Sequence, residues 1–330
     1  SGAEALYSGD GDVLILNEIY VSSLMDIPGF EDFDTDTKII YSATNKAAVE
    51  PTDEVMEKLD YTNSPFVLYI AGNDTRGTAL RYYGRTDVNL LVAVNPITRQ
   101  IIMVSIPRDL YVDNPALGNN KDKLTHLGNH GLKNTTKELS VLFNIPVKNY
   151  FSVNFVTFKK IVDAVGGVDI NNPYAFTSGK YVFEQGWIHL DGESGLVYCR
   201  DRHHLANGDF GRSAHQAIFL EGFINKITST EIITSFPAVL KAVQGLFLTD
   251  MSSDDIYSLA QMQLDQGGSW QIIRYSMGGI GAYAVTASMG SRKLYVAKPI
   301  QSQIDFVSAE IGKLLNNEIV SSEKMPTSDK

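Results

Sequence analysis

Cys199 is the only cysteine, so no intrachain disulfide is possible. That fits a reducing cytoplasm, and equally the outer face of a Gram-positive-type cell, where disulfides are often dispensed with. The thiol lies in the apolar run Leu196-Val197-Tyr198-Cys199, where burial is a better expectation than nucleophilic chemistry. Positive charge is also scarce: 28 Lys and Arg against 38 Asp and Glu, a net charge of −10. Sequence-independent binding to nucleic acid needs a basic surface, so no nucleic-acid partner is expected. A local positive cleft survives this argument, because neighbours rather than totals set the field in a pocket. No run is long and apolar enough to span a bilayer. Missing as well are a Gly-x-Ser-x-Gly elbow, a phosphate-loop Gly-Lys-Ser/Thr and a His-Glu-x-x-His pair. His203, His204 and His215 lack a matching carboxylate pattern and give only weak grounds for zinc. There is no internal repeat and no low-complexity block.

What is present is arginine and aspartate, gathered in five short segments. They are Gly72-Asn73-Asp74-Thr75-Arg76, Gly84-Arg85-Thr86-Asp87, Ser105-Ile106-Pro107-Arg108-Asp109, Cys199-Arg200-Asp201-Arg202 and Gly208-Asp209-Phe210-Gly211-Arg212. A guanidinium grips phosphate oxygens bidentately and stays charged at any biological pH. Aspartates beside it offer hard oxygen ligands for a divalent cation. Together they are what a diphosphate needs around it, so the chain is expected to handle a pyrophosphate ester.

Taken singly, each segment has a plainer explanation. Asp209, Arg212 and Gln216 fall on one helical face near its N-terminus, an anion site or an ordinary solvated face. Asp74 and Asp87 follow sheet-like runs, where they converge on a metal or merely stabilise turns. Arg108 follows the rigid Pro107 and faces a phosphate or pairs with Asp109. Lys123 lies in a polar loop, where most lysines are solvated. Arg200 and Arg202 flank a helix end, which favours cations without any ligand.

The 330 residues suffice for a large core. Residues 1–62 read as a small accessory segment, 63–318 as the main domain and 319–330 as a frayed tail. β-rich runs at Phe66–Ala71, Val88–Val94 and Ile101–Ile106 include a hairpin turned at Asn95-Pro96-Ile97-Thr98. Thr135 with Glu138 reads as a capping box opening a helix through Phe143. Further helices are expected over Thr157–Val165, Asp191–Cys199, Asp209–Ile227, Phe236–Gln244, Ser253–Leu264 and near Gln301–Leu315, with strands at Tyr150–Phe155, Trp270–Tyr275 and Lys293–Val296. The fold class is α/β, a mixed sheet sandwiched by helices.

In order and spacing, these pieces resemble the LytR–CpsA–Psr family of bacterial cell-envelope phosphotransferases. The resemblance runs from about Phe66 to Ile227, and more weakly to about Leu315. Besides the five segments it rests on Asn95-Pro96, Gly166-Gly167-Val168-Asp169 and Leu190-Asp191-Gly192. Two departures stand out: His215-Gln216 where the family commonly has Arg-Gln, and Leu124-Thr125-His126 after the pocket lysine.

The resemblance implies an enzyme that moves a glycan phosphate, of teichoic acid or capsular type, from a polyprenyl-pyrophosphate carrier to peptidoglycan. It implies Mg²⁺, or Mn²⁺ in its place, held by Asp74 and Asp87. Arg85, Arg108, Lys123, Arg200, Arg202 and Arg212 surround the diphosphate, supported by Asp209 and Gln216; Asp74, Arg108 and Asp209 carry the catalysis. The lipid tail lies in an apolar slot, with Phe151–Ile161 and Ala217–Ile227 as candidate walls. Because the sequence opens Ser1-Gly2-Ala3 without Met, a trimmed start is expected, and with it an extracytoplasmic protein tethered by an N-terminal membrane anchor. A polyprenyl-pyrophosphate hydrolase and a lipid-binding regulatory protein of the envelope are the competing readings.

Overall fold

The computed structural model describes residues 59–73, 80–201 and 209–327, and for 209–213 the backbone only. The accessory segment expected over 1–62 lies almost wholly outside the described residues, as do Asp74 and Arg202.

Three runs rich in β-branched residues form an antiparallel meander: β1 (Phe66–Asn73), β2 (Thr86–Asn95) and β3 (Gln100–Ser105). The β2–β3 turn is built by Asn95, whose Oδ1 accepts from the amides of Ile97 at 2.9 Å and Thr98 at 3.0 Å. A side chain that closes its own turn fixes the hairpin register locally. Next comes a small hairpin, β4 (Tyr111–Asn114) with β5 (Asn120–Lys123), and directly after it α1 (Leu124–Leu127). The sequence signals only a loop around Lys123. Its polar alternation carries no hydrophobic period, and β5 exists because its backbone pairs with β4.

α2 (Leu132–Phe143) leads into β6 (Val147–Asn154) and α3 (Phe155–Ala164). Four short strands follow, β7 (Val168–Asn172), β8 (Phe176–Ser178), β9 (Tyr181–Phe183) and β10 (Gly186–Leu190), pairing β7 with β10 and β8 with β9. Then come α4 (Gly192–Arg200), α5 (Asp209–Ile227), α6 (Thr230–Thr234), α7 (Phe236–Val243), β11 (Leu248–Thr249) and α8 (Ser253–Gln266). The chain closes with β12 (Gln271–Ser276), a hairpin of β13 (Ile280–Val285) and β14 (Lys293–Lys298), and α9 (Gln301–Leu315). The central sheet runs β11-β6-β1-β2-β3-β12. It is mixed, with β1–β6 and β3–β12 parallel and its other pairs antiparallel. The expected α/β architecture is the one observed.

The two faces of this sheet differ. On one, Tyr69, Leu91, Ile102 and Val104 are buried in one cluster with Leu139 and Phe143 of α2 and Val307 and Ile311 of α9. On the other, Leu68 and Ile70 of β1, Val88 of β2, and Phe151 and Val153 of β6 stay half-buried, although these strands are interior to the sheet. Full burial of such a side chain contributes about 1.5–3 kcal/mol. Here a row of them is left half open in the middle of a sheet, beside the buried Leu90 and Val92. A second cluster, with Val168, Ile170, Phe183, Tyr198 and Phe219, holds the β7–β10 strands to α4 and α5.

Helix starts follow capping chemistry where a side chain reaches the amides. Asp191 with Ser194 and Ser252 with Asp255 are reciprocal capping boxes. The Thr135–Glu138 box does not form. Gly131, at φ 99°, lets the helix begin four residues earlier, and Glu138 instead accepts from the Asp113 amide at 3.0 Å. The tail expected to fray is held as far as Pro326: Gln100 bonds Val320 in both directions, and the Pro326 carbonyl accepts from Gln303.

Burial raises the Glu138 carboxyl to about 7. A pKa higher in the folded than in the unfolded chain favours folding at low pH, and that advantage fades as pH climbs through the folded value. Glu138→Gln should therefore raise the thermal midpoint at pH 8, by a free energy on the order of 1 kcal/mol given partial solvent screening. At pH 5 the two proteins should melt together. Equal midpoints at both pH values would show that Glu138 ionises as freely folded as unfolded.

Candidate functional site

Strand direction alone gathers the arginine–aspartate segments. β1 and β6 run parallel, β2 runs against β1, and β3 runs against β2. The ends of β1, β3 and β6 and the start of β2 therefore share one edge of the sheet. Asn73 is paired with Thr86 on one side and Asn154 on the other. Gly84, Arg85 and Asp87 approach this edge from β2, Arg108 and Asp109 leave it from β3, and Phe155 leaves it from β6. Ligands in open α/β sheets gather at such an edge, where loops rather than strands supply the side chains.

Asn89 pins the edge. Its Oδ1 accepts from Tyr69 at 2.5 Å and Thr86 at 2.9 Å, its Nδ2 donates to the Thr86 carbonyl, and its carbonyl accepts from the Ile106 amide at 2.9 Å. Burial pushes the Tyr69 hydroxyl up, keeping it a proton donor here. Gly72 passes so near β2 that a Cβ there would lie 2.8 Å from the Val88 Cβ. The register shift at Gly72/Asn73 falls at this contact.

Four charges then meet. Arg108 Nη1 donates to Asp87 Oδ1 at 2.7 Å, and its Nε lies 3.7 Å from Asp109 Oδ2. Lys123 Nζ is 2.9 Å from Asp109 Oδ1. All four side chains are 13–20% exposed, so solvent screens their fields only partly. The loop is fixed through its backbone: Arg108 O accepts from Thr125 N at 2.9 Å, Leu110 O from Leu124 N at 2.9 Å, and Asp109 O from Ala297 N at 2.8 Å. Arg85 is buried at 6% exposure beside Gly84, whose amide donates to Gly128 O at 3.0 Å.

Asp87, expected on a metal, thus also bonds a guanidinium, and one carboxylate oxygen is engaged. The donor types still suit a hard cation: a carboxylate at Asp87, and at Asn73 a buried amide whose oxygen and nitrogen have no hydrogen-bond partner among the described residues. Among the described residues no three His, Cys, Asp or Glu side chains cluster as a complete ligand set. Asp74, the other expected ligand, lies outside them.

Arg200 is exposed at the end of α4, its guanidinium 4.3 Å above the Phe155 ring, which places it off the β6 end of the same edge. Gln216 is buried and donates to the Cys199 carbonyl at 3.2 Å, so it ties α5 to α4. Asp209 and Arg212 lie on the first turn of α5. His215 is a core residue: it stacks on Tyr198 at 4.2 Å, and burial lowers its pKa, keeping the ring neutral. Cys199 is buried with its thiol pushed up, as its apolar run implies.

Sequence reasoning passed over three participants: Asn73, Asp109 as the partner of Lys123, and the buried Asp122–His126 pair. His126 Nδ1 lies 2.7 Å from Asp122 Oδ1, and Ser288 donates its hydroxyl to Asp122 Oδ2. Burial raises Asp122, but His126 and Ser288 more than offset this and hold the carboxyl below its usual range. Asp122 Oδ1 also accepts from the Lys123 amide at 2.9 Å, setting the backbone on which the lysine stands. The i, i+4 spacing of Asp122 and His126 was the one available signal.

The LytR_cpsA_psr family model matches residues 34–291. Polyisoprenyl-teichoic acid--peptidoglycan teichoic acid transferase TagU of Enterococcus faecalis is 38% identical over 59% of this chain, and the match spans 65% of that protein. The protein of the same name from Bacillus licheniformis is 32% identical over 77% of this chain and 79% of its own. Among solved structures, TagT bound to LIIa-WTA superposes with a TM-score of 0.62 at 25% identity, covering 79% of this chain and 94% of that one.

Gly128 supplies the test of how tightly the edge is built. A Cβ there would sit 2.4 Å from the Gly84 carbonyl oxygen. Gly128→Ala should destabilise the fold by about 1–3 kcal/mol, read as a lower midpoint in denaturant unfolding. An unchanged midpoint would mean that the Gly84–Arg85 loop is free to move away.

Proposed function

The chain belongs to the LytR_cpsA_psr family, and on that premise we propose that it transfers a teichoic-acid-type glycan phosphate from a polyprenyl-pyrophosphate carrier to peptidoglycan. One observation carries the reading: the Asp87–Arg108–Asp109–Lys123 array stands at the sheet edge where the half-open apolar row of Leu68, Ile70, Phe151 and Val153 ends. A cationic mouth on an apolar slot matches a molecule with a diphosphate head and a hydrocarbon tail. The matched TagU span falls just under two thirds of the E. faecalis protein, and the teichoic acid transfer in that relative's name supports this reading without replacing it.

The chemistry asks for charge neutralisation and alignment more than covalent help. An acceptor sugar hydroxyl attacks the glycan-linked phosphorus; the P–O bond to the second phosphate breaks, and polyprenyl phosphate leaves. Arg108 and Lys123 meet the growing negative charge, each held in place by a carboxylate rather than by water. Arg85, Arg200, Arg202 and Arg212 complete the cationic lining, and Gln216 keeps α5 against α4. The hydroxyl proton passes to a carboxylate, Asp74 or Asp209. Asp87, with Asp74, would hold Mg²⁺ or Mn²⁺, which supplies further charge neutralisation at the phosphate oxygens. An extracytoplasmic location, with an anchor in the membrane, follows from where the lipid-linked donor and peptidoglycan meet. Among the described residues no helix is long and apolar enough to cross a membrane.

Arg108→Ala should lower kcat/KM for transfer by about 10²–10³, with purified lipid-linked donor and peptidoglycan. Full activity in that variant would remove Arg108 from the phosphate site. Mass spectrometry of lipid extracted from the purified protein should find a polyprenyl phosphate or pyrophosphate. Release of lipid phosphate without any glycan acceptor would instead identify a hydrolase.

A further inference from the structure

The β13–β14 hairpin stands out against the rest of the chain. From Met277 to Ile304 there is no Asp or Glu, while Arg292, Lys293 and Lys298 are all present, in a protein of net charge −10. All three cations are exposed. Tyr283 and Tyr295 are direct cross-strand partners, their rings 6.1 Å apart in an edge-to-face arrangement. Tyr283 is 74% exposed and Tyr295 46%. Two positions along on the same face, Val285 pairs with Lys293, and both are exposed. The opposite face carries Leu294 and Val296, which are buried. One side of this ribbon is core; the other displays two aromatic rings, an aliphatic side chain and a cation.

The ring positions are set by the backbone. A Cβ at Gly281 would lie 3.2 Å from the Tyr295 ring, so glycine there leaves the ring room to lie across its neighbouring strand. Exposed aromatics normally cost solubility, and nothing in the ribbon's own packing requires Tyr283.

This ribbon is bonded to the charge array. Ala297 N donates to Asp109 O at 2.8 Å, and Asp109 holds Lys123. Tyr111, the β4 residue paired with Lys123, donates its hydroxyl to Val285 O at 2.7 Å. Ser288, in the β13–β14 connection, is bonded to Asp122. Three ties thus join the ribbon to the residues around Lys123. It adjoins the β3–β5 side of the site, while Phe155 and Arg200 mark the β6 side, next to the half-open Phe151 and Val153.

We propose that the exposed face of β13–β14 is the docking platform for the acceptor glycan strand, a chain of pyranose rings bearing carboxylates. Sugar C–H faces stack on Tyr283 and Tyr295, and Lys293 pairs with carboxylate substituents. The inference rests on the transferase reading above and assigns the acceptor rather than the donor to this surface. The half-open apolar row assigned to the lipid tail runs along β1 and β6, so an acceptor must enter from another side to meet the donor's phosphorus. The ribbon supplies that side, with charge complementary to an anionic polymer.

The test is transferase kinetics with purified lipid-linked donor and soluble peptidoglycan strands. The proteins are wild type, Tyr283→Ala, Tyr283→Trp and Tyr283→Ala/Tyr295→Ala. The double variant should raise the acceptor KM about tenfold, the loss of two aromatic contacts of ~0.5–1.5 kcal/mol each. Its kcat at saturating acceptor and its donor KM should stay at the wild-type level, and Tyr283→Trp should restore tight acceptor binding. An unchanged acceptor KM in the double variant overturns the platform, as does a rise confined to the donor KM. A wild-type protein with no transfer at all would overturn the transferase reading itself, a separate result.

Discussion

Four consecutive carbonyls hold the site together. Pro107 O closes its own turn onto Leu110 N, Arg108 O accepts from Thr125, Asp109 O from Ala297 and Leu110 O from Leu124. A loop whose every carbonyl is bonded elsewhere has little freedom to shift, because each opening leaves a group unpaired at about 1–3 kcal/mol. Arg108 and Asp109 are therefore held as rigidly as if they lay on a strand. Pro107 stiffens the entry by fixing its own φ. Everything else at this edge is arranged around that turn: Asp87 from β2, Lys123 from β5, and the β13–β14 ribbon.

The charges are organised by pairing rather than by excess. At this edge of an acidic chain, Arg108 and Lys123 each sit against a carboxylate. Such pairs keep arginine and lysine extended before any ligand arrives, so less side-chain entropy is lost on binding. For the proposed phosphate donor they would also set the terms of binding, since it would compete with Asp87 and Asp109 for the same N–H groups. On the transferase reading, a dianionic or trianionic head would win that competition where a single carboxylate would not, which would favour diphosphates.

The sheet divides its labour between faces. One is closed by α2 and α9 and supplies stability; the other leaves Leu68, Ile70, Phe151 and Val153 half covered and gives up part of their hydrophobic stabilisation. The same trade appears at β13–β14, where one face is core and the other shows rings to solvent.

Much of this was legible in the chain itself. The β-rich runs, the Asn95 turn, the Ser252 and Asp191 helix starts and the α9 bounds follow from hydrophobic period and local side-chain reach, which act within a few residues. The arginine–aspartate segments pointed to phosphate chemistry by residue type, the role proposed for them above. What the sequence could not say was which segments meet. β5 has no period of its own, Glu138 caps nothing because Gly131 starts the helix first, and His215 is a stacked core residue because Tyr198 and Tyr174 surround it. The pairing of Lys123 with Asp109 and of Asp122 with Ser288 joins residues up to 166 positions apart. Local chemistry fixes what each segment is able to do; the direction of strands and the bonding of loop backbones, both long-range, decide where it does it.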